Sequence, residues 1–404
     1  MAEQEKSQSG SVLGGVLLIT GCCIGAGMLG LPVISAVAGF KPSMAMFLLS
    51  WLFMSCTALL LLEVNLWFHD EVSLISMAER TLGVFGKVLA WLCFLFLFYT
   101  LGVAYIAGSG ELISDFLLVL TGFAIPRYVG SLFLCLLFAI FLYLGTRSVD
   151  LFNRLLMIGL IISYVLLVAI GAPHVNPSYL AYANWKAAPF VIPVMLISFG
   201  FHNLVPSLKN YFNGDRERLR KTVLLGSFLP LLIYLVWEWL ILGLVPMTGE
   251  GGFTEALSQG DMATHVLRSA TNNVWILDLA HYFAFFAITT SFLANSLSFV
   301  DFLADGLRIK KTSLGKVLLC ALVIIPPFIF AFDYPKVFLM ALNYAGAFGA
   351  VTLFGILPVA MVWVGRYVQR RSEKPIVPGG KAVLIAVLSF AIAIIVLQLT
   401  QIEV

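Results

Sequence analysis

Long apolar runs separated by short polar connections are the dominant pattern of this chain. The first extends from Val12 to Ala38, more than the roughly 20 residues an α-helix needs to cross a bilayer. Ten comparable runs follow, and hydropathy places the eleven at roughly 11–38, 42–66, 87–112, 128–146, 152–172, 187–208, 222–245, 275–304, 314–332, 337–364 and 381–400. The pattern predicts an all-α polytopic membrane protein with eleven transmembrane helices. Two connections are long enough for structure of their own. His69 to Gly86 reads as a short amphipathic helix lying along the membrane surface. Pro246 to Asn273 carries Gly249, Gly251 and Gly252 and then a helical stretch from Thr254, which is either a lid over a vestibule or a passive connector.

Charge adds an orientation. Of the 24 basic residues, only Lys41, Arg127, Lys186, Arg268 and Lys336 fall on one side of the predicted membrane, and the other 19 share the side of the N-terminus. By the positive-inside rule the tail 1–10 is cytoplasmic and the C-terminus of residues 381–404 is periplasmic. The basic loop Arg216 to Lys221 is then a topology signal, and no nucleic-acid partner is expected. Composition excludes a soluble protein, since 61% of residues are hydrophobic and 11% charged. The first ten residues lack the basic start and small-residue cleavage site of a signal peptide, so the first run is expected to stay as a span. All six cysteines lie inside apolar runs without a C-x-x-C pair, which argues against disulfides and zinc. Gly25-Ala26-Gly27-Met28-Leu29-Gly30 matches the G-x-G-x-x-G dinucleotide pattern. It lies in a membrane-length run rather than between a strand and a helix, and no acidic residue follows before Glu63, so no cofactor is expected.

The first run has a weak point at its centre, Gly21-Cys22-Cys23-Ile24-Gly25-Ala26-Gly27-Met28. Glycine costs about 1 kcal/mol against alanine inside a helix, so three glycines in seven positions favour opening it. Inside a bilayer an opened backbone is tolerated only against protein or a polar cavity. Close helix packing through Gly21 and Gly25 is the alternative reading of the same residues. The sixth run is interrupted likewise by Ser198-Phe199-Gly200-Phe201-His202-Asn203, and a proline follows each interruption, Pro32 and Pro206. Paired breaks in corresponding spans of two opposed five-span sets mark the binding site of a secondary transporter. The outer half of the first span begins with free N–H groups and suits a carboxylate. The outer half of the sixth ends in free carbonyls near Ile197 to Phe199 and suits an ammonium group. Together they fit a zwitterionic amino acid.

Gly-x-x-Ile-Gly-Ala-Gly-Met-Leu-x-x-Pro (Gly21 to Pro32) and Ser-Phe-Gly-Phe-His-Asn (Ser198 to Asn203) resemble the hydroxy and aromatic amino acid permeases, nearest to the bacterial tyrosine/tryptophan branch. The resemblance covers essentially the whole chain. It implies a five-plus-five inverted repeat with broken helices 1 and 6, set as 11–172 and 187–364, plus one extra C-terminal helix. It also implies import of an aromatic amino acid, tyrosine first, by proton symport across the bacterial inner membrane. A sodium-coupled symporter of another neutral amino acid, tryptophan or serine, is the alternative. An intramembrane enzyme needs a nucleophile and base brought together, and Ser109 has no histidine placed near it.

The substrate-binding candidates are Cys23, Ile24, Gly25, Ala26 and Gly27 at the first break and Ser198, Phe199, Gly200, Phe201, His202 and Asn203 at the second. Among the aromatics of span three, Tyr99 and Tyr105 are the candidates for the ring pocket. For the coupling ion, His202 is the one side chain of either break that titrates near neutral pH. Thr289, Thr290 and Ser291 resemble the hydroxyl cluster that holds sodium with span-one carbonyls in sodium-coupled relatives, so Thr289 and Thr290 with the carbonyls of Gly21 and Ile24 would offer hard oxygen ligands to sodium instead. Met28 stands where sodium-coupled relatives of the resembled family carry a polar ligand, and a thioether there opposes a second sodium beside the substrate. Other ionisable residues in the spans are candidates because they are expensive there. Glu63 reads as a partner for the backbone of span one, Glu111 and Asp115 as solvated caps, and Glu238 as a deep carboxyl without an assigned role. Asp278 and His281 read as water-facing, and Asp301 and Asp305 as helix-end residues.

Overall fold

The computed structural model describes residues 10–402 apart from 124, 145, 250, 271, 272, 335 and 372, and no side chain at 115, 119–121, 146–148, 150–151, 268–270 and 401–402. Most of the tail 1–10 and the Asp115 side chain lie outside the described residues. In chain order the helices are α1 (Val12–Cys23), α2 (Gly27–Ala36), α3 (Phe40–Leu66), α4 (Leu74–Thr121), α5 (Arg127–Leu144) and α6 (Thr146–Gly171). Then come α7 (Ile192–Ser198), α8 (Val205–Tyr211), α9 (Arg216–Leu244), α10 (Phe253–Gln259), α11 (Ala263–Ala270) and α12 (Val274–Gly306). The last are α13 (Ser313–Asp333), α14 (Phe338–Tyr344), α15 (Leu357–Trp363) and α16 (Gly380–Ile402). Among the described residues ten helices are long and apolar enough to span a membrane, and the α1–α2 pair, bent by 60°, makes the eleventh. The chain is a multi-pass membrane protein.

Below, the side from which α1 starts is the near side and the opposite face the far side. The first span is α1 and α2, and the sixth is α7 and α8 with a 3-10 turn His202–Leu204 between them. The tenth runs through α14, a π-helical stretch Ala345–Ile356, and α15. The surface helix expected over 69–86 exists as the first turns of α4, which Gly83 (φ 72°) kinks into the third span.

In lipid, burial of apolar side chains drives helices together only weakly, so close packing and hydrogen bonds hold the bundle. The seam of α1 with α9 shows it. A Cβ on Gly226 would come within 2.9 Å of Ile19, so only glycine admits this approach. Contacts also follow an exchange rule. The first span packs on α9 as the sixth packs on α3, and α6 packs on α12 as the tenth span packs on α4. The pairs α3–α9, α4–α12 and α5–α13 touch as well.

Near-side charges tie the spans together. Glu63 accepts from Arg366 Nε and Nη2, both at 2.7 Å, and from the Ile376 N–H at 2.6 Å. Its partners are therefore the tenth span and the connection after it, not the backbone of the first span as expected. A guanidinium two-point bond outcompetes backbone donors for a buried carboxylate. Asp70 binds Arg80 at 2.8 and 2.6 Å, and that hydrogen bond holds its carboxyl below the usual range. Lys209 Nζ donates to Phe68 O and Asp70 O, anchoring the near end of α8. Asp301 pairs with Lys311 at the near end of α12.

Candidate functional site

The two interruptions meet in the interior. α1 ends at Cys23, Ile24 is extended (φ −80°, ψ 108°), and α2 starts at Gly27. A Cβ on Gly27 would stand 2.8 Å from Ser198 Oγ, and one on Gly25 would fall on Ser291 Oγ. Ala26 N–H donates to Ser291 Oγ at 2.9 Å, while Met28 and Leu29 N–H turn back to Gly25 O and Ala26 O. Gly25 N–H and Gly27 N–H have no partner among the described residues. Two backbone donors thus stand open at the start of α2, where the helix dipole adds partial positive charge.

Tyr234, at the middle of α9, clamps the two breaks. Its hydroxyl lies 2.6 Å from Cys23 O and 2.7 Å from Ser198 O, so its single hydrogen is shared between the ends of α1 and α7. Its ring packs edge-on against Phe199. One turn on, Trp237 Nε1–H donates to Met28 O at 2.8 Å. The carbonyls expected to wait for an ammonium group therefore already have partners: Ser198 O takes Tyr234, Ile197 O the Gly200 N–H, and Phe199 O the Phe201 N–H. Each carbonyl keeps a second lone pair. Sequence reasoning missed Tyr234, because a tyrosine in an apolar run carries no local mark of where its hydroxyl points.

The remaining candidates divide. Tyr105 is buried, and its hydroxyl has no hydrogen-bond partner among the described residues. Tyr99 points elsewhere, its hydroxyl donating to Leu322 O of α13 and its ring packing on Phe299. Phe199 and Phe201 are fully buried, Gly200 O faces the Cys22 thiol at 3.8 Å, and Asn203 is exposed. His202 turns its ring away from the first span. It stacks on Phe354 of the π-helical stretch at 4.7 Å, and its Nε2 lies 2.9 Å from Thr57 Oγ1. With the Thr57 hydroxyl given to Met54 O, Nε2 carries the hydrogen, and Nδ1 is buried without a partner. Of the hydroxyl trio, Ser291 touches the first break, Thr290 bonds back to Phe286 O, and Thr289 is buried with no partner. Among the described residues no hydrogen bond joins Thr289 or Thr290 to Gly21 or Ile24.

The far halves α2 and α7 are buried on nearly all sides, whereas Gly21, Cys22, Asn203, Ser207 and Asn210 give the near halves open faces. The far-side loop explains the asymmetry, for α10 and α11 pack on α2. Arg127 pins them, with Nη2 3.5 Å from Asp261 and Nη1 3.9 Å from Glu111, while His265 Nδ1 lies 3.1 Å from Asp261. Glu111 is thus buried in an ion cluster and is no solvated cap. Burial opposes the Asp261 carboxylate, yet His265 and Arg127 outweigh it and keep its pKa below the ordinary value. Glu111, Asp261 and His265 have metal-type donors within 4.8 Å of one another, but Arg127 already supplies the cation there.

Comparison with known proteins agrees with this architecture. Residues 8–398 match the model of the tryptophan/tyrosine permease family. Similar chains include a tryptophan-specific transport protein of Haemophilus influenzae, 30% identical over 98% of this chain and 97% of its own. A tyrosine-specific transport system of the same organism is 31% identical over 95% of both chains. A low affinity tryptophan permease of Escherichia coli K12 is 28% identical over 95% of this chain and 94% of its own. The match runs through all the spans, both breaks included, and the chain belongs to the tryptophan/tyrosine permease family.

Proposed function

We propose that this permease imports an aromatic amino acid, with tyrosine preferred and tryptophan next, by proton symport and alternating access across the bacterial inner membrane. Residues 11–172 and 187–364 act as the two repeats, the near side is cytoplasmic, and α16 stands outside the repeat. The observation that carries the reading is the pair of open N–H donors at Gly25 and Gly27. They receive the substrate carboxylate, the second lone pairs of the break carbonyls receive its ammonium group, and the ring extends toward Tyr105. No lysine or arginine stands at either break to accept a side-chain carboxylate, which disfavours acidic substrates. His202 takes a proton on Nδ1 during the cycle. The sodium alternative draws on the orphaned Thr289 hydroxyl beside the Ser291 contact.

Uptake of labelled tyrosine into proteoliposomes tests the proposal. Tyrosine, tryptophan and phenylalanine should compete well, and alanine and glutamate poorly. Accumulation should follow an imposed pH gradient without sodium. Equal competition by glutamate refutes the pocket, and accumulation under a sodium gradient alone transfers coupling to Thr289 and Thr290. Survival of pH-driven uptake in His202→Ala removes that histidine as carrier.

A further inference from the structure

Glu238 lies six residues before the far end of α9, about 9 Å along the helix. It is completely buried, and neither carboxyl oxygen has a hydrogen-bond partner. Its sequence neighbour Trp237 grips Met28 O of α2, and Tyr234 one turn earlier clamps both breaks. Across the α2–α9 contact it faces Ser35, whose hydroxyl is also unpartnered.

Among the described residues, the elements packed on α9 bring no charge to it. Glu63 of α3 is taken by Arg366, and His265 of α11 by Asp261. The Tyr164 hydroxyl donates to Ile233 O and that of Tyr182 to Val37 O, while His174 sits on Ile170 O. Cys22 and Cys23 of α1, Lys41 and Cys56 of α3, Arg154 of α6 and Tyr179 complete the set among the residues whose side chains are described, and no ion pair joins any of them to Glu238. A carboxylate without a cation is expensive in a dry, low-dielectric site, so the acid form occupies this arrangement. Opening the far side by parting α2 from α9 brings water to the group and makes its charged form tolerable.

We propose that Glu238 is a proton-binding residue whose neutralisation permits the far half of the first span to close on the seventh. In the far-open state the carboxylate takes a proton from hydronium, one O–H bond forming on Glu238 as one breaks in hydronium to leave water. The neutral acid then seals beside Ser35 as α2 closes. This deepens the proposed proton symport and rests on it.

The test uses the full-length permease in proteoliposomes, native, Glu238→Gln and Glu238→Asp. The amide mimics the neutral acid, so Glu238→Gln should keep tyrosine exchange within about twofold of native while losing about tenfold or more of pH-driven accumulation. Its exchange rate should be independent of pH, whereas the native rate falls as pH rises. Glu238→Asp should keep pH-driven accumulation with a displaced pH midpoint. Native-level accumulation by Glu238→Gln overturns the proposal, as does a folded Glu238→Gln protein without exchange. If Glu238→Gln does not fold, the aspartate variant decides, and an unshifted midpoint overturns the proposal. A native protein that does not accumulate tyrosine under a pH gradient refutes the symport reading instead.

Discussion

Single atoms decide whether the two breaks work as a site. Gly27 faces Ser198 Oγ so closely that one added carbon collides, and a valine would also cover the open N–H. Gly27→Val is expected to abolish tyrosine uptake while leaving a folded, membrane-inserted protein, checked by uptake alongside size-exclusion chromatography. Parental uptake by that variant contradicts the role. Tyr234→Phe keeps the ring against Phe199 but leaves two buried carbonyls short of a donor. It should cost about 1–3 kcal/mol, read as a lower melting temperature, and should slow transport. An unchanged melting temperature removes the clamp. The glycines were legible in the sequence because three of them cluster within seven positions at the centre of the first run and a second interruption matches them in the sixth. The ring direction of His202 was not, since it follows from Thr57 and Phe354, far away along the chain.

Half-helices and loops set which side is open. The near halves expose Cys22 beside Gly200 O, while α10 and α11 cover α2. A membrane-impermeant thiol reagent should therefore label Cys22 from the near side, with bound tyrosine protecting it; the test uses a variant lacking the other five cysteines. Labelling from the far side only contradicts the assigned opening. The loop over 246–273 was legible as partly helical, whereas its role depended on Arg127 meeting Asp261 and Glu111 from three separate elements. Asp261 has a lowered pKa in the folded state, so its contribution is present above the ordinary carboxylate pKa and fades as pH falls below about 4. Asp261→Asn should speed hydrogen exchange across 253–270 at neutral pH. Exchange equal to native there means the ion cluster does not hold the loop.

Across the whole molecule, span number and class were readable from hydropathy because a bilayer imposes length and polarity on every helix. Neighbour relations were not, since the α1–α9 seam depends on Gly226 meeting Ile19, a contact between distant segments that no local periodicity encodes. The packing of the bundle brings the two breaks to a common centre, and function depends on what that centre binds. The most direct test is equilibrium binding of tyrosine and tyrosine methyl ester to the purified permease. Two hydrogen bonds to a carboxylate at about 1.5 kcal/mol each correspond to roughly 100-fold in affinity, so the ester should bind about that much more weakly. Equal affinity for the acid and the ester would contradict recognition of the carboxylate at Gly25 and Gly27.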